Sequence, residues 1–226
     1  MANILLIETA TKLCSVGLAV NGDIKAIRED TSDRYSHAEK TNFFIEEVCH
    51  ESGVLLKDMD AVAVGAGPGS YTGLRIGTRI AKGLCFALDI PLIGISSLHI
   101  IAKGMLLADQ VTAGTALVPM IDARRNEVFA CVLDQELKEL RPTAPLILDK
   151  EGYDSLGGTF AAGGDGAEKI ESDTVQVIRE ITTSTRWMAP LAESRFEAKE
   201  FSDLAYFVPR YGKAANAIKP KPWING

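Results

Sequence analysis

The sequence predicts an α/β protein of two related lobes. Three observations carry that reading: the chain opens with three short apolar runs joined by turns, it then alternates strand-like and helix-like periods, and after residue 114 it starts again with a strand, a turn and a strand. A length of 226 residues leaves room for one large domain or two of about 100 residues each. The boundary falls near residue 110, giving lobes over 1–108 and 109–226.

The elements follow in order. Asn3 to Glu8 and Cys14 to Val20 are apolar runs flanking Thr9-Ala-Thr-Lys12, which reads as a hairpin. Asn21-Gly22-Asp23, a strong turn sequence, leads into Ile24 to Glu29 and completes a three-stranded antiparallel meander. A dinucleotide-binding unit would instead pass from its first strand through a glycine-rich turn into a helix, so that class is excluded at residue 9. Ser36 is placed as the N-cap of a helix ending near Ser52, with Gly53 as its stop signal. Ala61 to Gly65 is a buried strand, the turn Gly65-Ala-Gly-Pro-Gly-Ser-Tyr-Thr72 leads into a helix from about Gly73 to Leu88, and Pro91 to Ile95 is the next strand. A helix from about Ser97 to Leu107 closes the first lobe.

In the second lobe, strands over Ala116 to Ile121 and Glu127 to Leu133 flank the turn Asp122-Ala-Arg-Arg-Asn126. Further strands are expected near Leu146 to Leu148 and at Thr159 to Ala162, followed by Gly163-Gly-Asp-Gly166 and a helix around Thr185 to Lys199. After Asp203 the chain has no acidic side chain but carries Arg210, Lys213, Lys219 and Lys221, either a solvated C-terminus or a cationic arm.

Composition narrows the function. With 46% hydrophobic and 24% charged residues the chain is globular rather than disordered. A net charge of −6 repels a phosphate backbone, so any role on RNA is expected to need other subunits. The longest apolar runs, such as Val111 to Ile121, are interrupted by Thr112, Thr115 and Pro119 and fall short of the roughly 20 residues that span a bilayer. The stretch from Met1 to Glu8 lacks the basic region of a secretory signal, and a cytoplasmic protein is expected. Cys14, Cys49, Cys85 and Cys131 have neither zinc-site spacing nor the density of a disulfide scaffold, and read as reduced packing residues.

Few residues offer chemistry. Glu8 closes the first strand, where an acid could hold a metal-bound water near a phosphate or simply belong to the turn. The stretch Gly65 to Gly77 lies before a helix start, where anions bind, but it matches neither Gly-x-x-x-x-Gly-Lys-Ser/Thr nor Gly-x-Gly-x-x-Gly. Phosphate cradle and structural turn both remain open. His37, His50 and His99 lack the four-residue spacing of a helical metal pair, and no Gly-x-Ser-x-Gly elbow is present.

The helix from Gly73 to Leu88 is apolar over roughly half its circumference, more than one core face requires. Gly73, Gly77 and Ala81 recur every fourth residue and would let another helix approach closely. Phe86 projects among Arg75, Arg79 and Lys82, and Phe43 falls between Glu39, Lys40 and Glu47 on the preceding helix. Aromatic residues on polar helical surfaces point to a protein interface, with burial under the second lobe as the alternative.

Ile7-Glu-Thr-Ala-Thr11, Cys14-Ser-Val-Gly-Leu18, Gly67-Pro-Gly-Ser-Tyr-Thr-Gly-Leu-Arg-Ile-Gly77, Ala81-Lys-Gly-Leu84 and Ile90-Pro-Leu-Ile-Gly-Ile-Ser-Ser-Leu98, in this order, closely resemble the bacterial TsaB family, formerly YeaZ. The likeness spans nearly all of residues 3 to 107, with weaker echoes at Ile121 to Val128, Gly163 to Gly166 and Pro209-Arg-Tyr211. The family pattern usually has Asp at the position of Glu8.

This resemblance implies an actin-like, sugar-kinase-like ATPase fold (ribonuclease H-like) of two lobes, each with a mixed sheet and helices. It also implies work alongside TsaD, TsaE and TsaC in making threonylcarbamoyladenosine beside the anticodon. The TsaD relative carries a His-x-x-x-His metal pair whose positions here are Ser97 and Ile101, which cannot replace imidazole, so no metal, no cofactor and no catalytic residue are expected. Family precedent implies a heterodimer with TsaD through the two helices of the first lobe, drawing on Phe43, Phe44, Gly73, Ile76, Gly77, Ile80 and Phe86. It further implies TsaE recruitment, a homodimer when alone, and tRNA contact only through the complex. A residual phosphate site would be drawn from Glu8, Thr9, Gly67, Gly69, Ser70 and Thr72. The alternative function is an active ATPase or small-molecule kinase of the same fold.

Overall fold

The computed structural model describes residues 2–31, 37–108, 110–171 and 175–212. The expected N-cap Ser36 and the cations Lys213, Lys219 and Lys221 lie outside them. The opening meander is present as β1 (Asn3–Glu8), β2 (Cys14–Val20) and β3 (Asp23–Asp30). β1 reads as a continuous apolar run because it is central: it pairs antiparallel with β2 (Leu5 opposite Leu18) and parallel with β4 (Ala61–Gly65), Leu5 opposite Val62. β3 forms one edge and β5 (Leu92–Ile95) the other, in the order β3-β2-β1-β4-β5.

α1 (His37–Ser52) carries the chain from β3 to β4, and α2 (Tyr71–Leu88) carries it from β4 to β5. Both cover one face of the sheet, where Ile45, Val48, Ala81 and Cys85 meet Leu5, Ile7, Leu18 and Val62. α2 starts two residues before the predicted Gly73 because the Ser70 side chain caps it, accepting from the Gly73 N–H.

The second sheet repeats the plan as β10-β9-β6-β7-β8, from β6 (Ala116–Asp122), β7 (Glu127–Leu133), β8 (Glu139–Ile147), β9 (Phe160–Gly163) and β10 (Gln176–Ile178). Adding five to each label of the first sheet gives the second, with the same parallel and antiparallel pairs. This is the two-lobed α/β architecture expected of the actin-like, sugar-kinase-like class. β8 begins at Glu139, well before the strand expected near Leu146, and carries Pro142 and Pro145 on an exposed edge, where proline is tolerated. The strand β10 and the helix α4 (Lys150–Leu156) were not anticipated.

The crossovers differ sharply. α1 and α2 have 16 and 18 residues, whereas the equivalent second-lobe connections hold only the 7-residue α4 and a 5-residue 3-10 turn at Asp165–Lys169. The last helix of each half packs on the other half's sheet. α3 (Ser97–Leu107) sets Leu98, Ile101 and Met105 against Leu117, Phe129 and Leu133. α5 (Thr185–Glu197) sets Met188, Ala189 and Ala192 against Ile4, Leu6, Ala61 and Ile93. Beyond α5 the chain returns along the first sheet, with the Ser202 N–H donating to Leu92 O at 2.8 Å and the Arg210 N–H to Ala66 O at 2.8 Å.

Candidate functional site

Two groups of candidate residues lie on opposite flanks of α2. On the inner flank, Glu8 ends β1 with no exposure to solvent. The Ala10 N–H donates to its Oε1 at 2.6 Å and the Ser97 hydroxyl to its Oε2 at 2.8 Å. Burial dominates over these bonds and pushes the carboxyl up from an ordinary 4.5 to about 7. Gly65 leaves the space that the carboxylate fills, because a Cβ there would overlap it.

The same carboxylate therefore holds the end of β1 to the first residue of α3. Ser97 and Ile101, at the positions of the relative's imidazole pair, are one turn apart on α3. The serine is engaged with Glu8, and the isoleucine packs in the second lobe's core, against Gly164 of the Gly163–Gly166 turn. Among the described residues no three His, Cys, Asp or Glu side chains gather into a metal-binding group.

The structure assembles Glu8, Thr9, Gly67, Gly69 and Ser70 around one turn. The Thr9 hydroxyl donates to Gly73 O at 2.8 Å, and the Ser70 N–H to Ala10 O at 2.6 Å. Gly67 lies under the carbonyl of Arg210, and Gly69 under that of Ala10. Gly67 and Gly69 have φ of 82° and 155°, which only glycine adopts without strain. A side chain at either glycine would meet these carbonyls, so glycine lets the turn pack closely, and the Thr9 and Ser70 hydroxyls are bonded to the backbone of Gly73. Thr72 is separate from the group, exposed on α2.

The outer flank is different. Phe43 on α1 is 58% exposed and Phe86 on α2 is 82% exposed, so the second lobe does not cover them. Phe44 is half-buried, its ring centroid 6.4 Å from that of Phe43, and it packs on the first core with Ile80. Ile76 is half-buried on the next turn of α2.

Gly73 and Gly77 do not belong to this flank. Both are buried, Gly73 against the Thr9 carbonyl and Gly77 against the Thr9 hydroxyl, so the small-residue line lets α2 approach the end of β1 rather than a foreign helix. The small residues that are open are Gly83, which has nothing within 4 Å of its absent side chain, and Ala87 one turn on. These two were missed. Their place beside Phe86, whose odd position was legible, is the signal that could have found them.

Residues 31–216 match the model of a family described as TsaD: tRNA N6-adenosine threonylcarbamoyltransferase. Proteins called tRNA threonylcarbamoyladenosine biosynthesis protein TsaB, from Haemophilus influenzae and Escherichia coli, are each 39% identical over 126 residues, or 56% of this chain and 51% and 52% of theirs. YeaZ from Pseudomonas aeruginosa superposes with a TM-score of 0.80 at 25% identity, covering 93% of this chain and 100% of that one. The chain belongs to this family, on its TsaB/YeaZ side. The match spans about half the length of the curated TsaB relatives. In the described residues no helix is long and apolar enough to cross a membrane.

Proposed function

We propose that the chain is a non-catalytic subunit of the cytoplasmic machinery that makes threonylcarbamoyladenosine at the adenosine 3′ of the anticodon. It docks on TsaD through the outer flank of α1 and α2, holds that enzyme in its active conformer, helps recruit TsaE, and pairs with itself when TsaD is absent. The observation that carries this reading is the exposure of Phe43 and Phe86 on adjacent helices, with Gly83 and Ala87 open beside them. Ile76, Ile80 and Phe44 would form the half-buried floor of the contact.

Two further features support a body without chemistry of its own. Serine and isoleucine stand at the positions of the relative's imidazole pair, and the Glu8 carboxylate is fully buried and engaged by the Ala10 N–H and the Ser97 hydroxyl. The test is reconstitution of the tRNA modification from purified subunits with and without this chain. Product only when the chain is added, and none from the chain alone, is the expected result. Equal modification without it would overturn the proposal.

A further inference from the structure

Two stretches of the sequence carry three or more cations and no carboxylate: residues 71–88, with Arg75, Arg79 and Lys82, and residues 204–226, with Arg210, Lys213, Lys219 and Lys221. In a chain of net charge −6 that is strong segregation, and the described parts of the two stretches lie together. Lys82 Nζ donates to the carbonyls of Ala205 and Phe207 at 3.0 and 3.3 Å. The Tyr211 ring packs against that of Tyr71, centroids 4.6 Å apart and planes inclined by 44°. Arg75 lies over the Tyr71 ring, its guanidinium carbon 5.0 Å from the centroid, and its Nη1 donates to the Tyr71 hydroxyl at 2.9 Å. Tyr71 is nevertheless 44% exposed, and Arg75 and Arg79 are exposed on successive turns. Asp203, the carboxylate just before the second stretch, is engaged by the N–H groups of Ala205 and Tyr206.

An acidic protein segment would answer the charge of this face but make no use of its tyrosine pair. Unpaired RNA answers both, since every base offers a π-face and every nucleotide a phosphate. We propose that Tyr71, Arg75, Arg79 and Tyr211 form a direct binding surface for unpaired RNA nucleotides, with a base packed against the exposed part of the tyrosine pair and flanking phosphates held by the guanidiniums. This goes beyond the assembly role and does not depend on it. Arg75 and Arg79 lie about 16 and 10 Å along the helix axis from Phe86 and directly precede Ile76 and Ile80, so the RNA face borders the protein-docking flank.

The test is fluorescence anisotropy of a short fluorescein-labelled oligoadenylate titrated with the full chain at about 50 mM salt. Saturable binding that weakens as salt rises is expected, with Tyr71→Ser and Arg75→Glu each lowering affinity by about tenfold or more. Phe43→Asp should bind as the parent does, and polyglutamate of equal length should compete poorly. Circular dichroism confirms that each variant is folded, and the exposed Arg75 site keeps the test decisive if Tyr71→Ser is not. Absence of saturable binding, equal affinity of the Arg75→Glu variant, or equal competition by polyglutamate would overturn the proposal. None of these outcomes touches the modification role, which is read by reconstitution.

Discussion

The inner and outer flanks of α2 are built from similar residues, glycines, alanines and aliphatics, yet one is closed against the chain's own backbone and the other is open. Gly73 and Gly77 face Thr9, whereas Gly83 faces nothing within 4 Å. The difference lies in the direction each flank faces: the inner one turns to the end of β1 and, through Ala81 and Cys85, to the first core, whereas the outer one turns away from both. A helix that is apolar over half its circumference can thus fill a core on one side and leave apolar surface open on another.

Substitutions sharpen or break this contrast. The largest effect belongs to Gly73→Val, which drives a side chain into the Thr9 carbonyl and should cost more than about 4 kcal/mol by urea denaturation; a loss under about 1 kcal/mol would mean the inner flank is not closed. Glu8 comes next. Its carboxyl is raised in the folded state, so the folded chain holds a proton that the unfolded chain releases, and stability falls as pH rises from about 4.5 through about 7. The fall amounts to roughly 3 kcal/mol, and Glu8→Gln should flatten it; an unchanged pH slope in denaturation midpoints would refute the buried proton. Gly83→Ala should instead stabilise by about 0.5–1 kcal/mol through helix propensity, and any destabilisation would place Gly83 against something. Phe86→Ser should leave stability within about 0.5 kcal/mol, since its ring contributes little to the folded monomer.

Much of the architecture was legible because long periodic segments carry their own signal. β1 and β4 read as buried runs, and α2 and α3 as helices, because central strands and amphipathic helices display their burial in the sequence. β8 did not, since Glu139-Leu-Arg-Pro-Thr-Ala-Pro-Leu-Ile147 lies exposed on an edge and is a strand only because β7 needs a partner. The packing of α5 on the first sheet and the bond between Ser97 and Glu8, 89 positions apart, are tertiary facts with no local signature.

At the candidate site, the odd placement of Phe43 and Phe86 was readable from helical spacing alone, because an aromatic residue among charges violates the pattern around it. The orientation of the glycines was not. Spacing at every fourth residue marks a line on a helix, but only the position of Thr9 decides that the line faces inward.

The proposed docking of TsaD on the outer flank is tested most directly by a titration of TsaD against the labelled chain and against a Phe43→Asp, Phe86→Asp double variant, with thermal melting run in parallel. The prediction is a Kd raised by about a hundredfold or more with an unchanged melting temperature, as for paired aromatic anchors. An unchanged Kd for a folded double variant would contradict it.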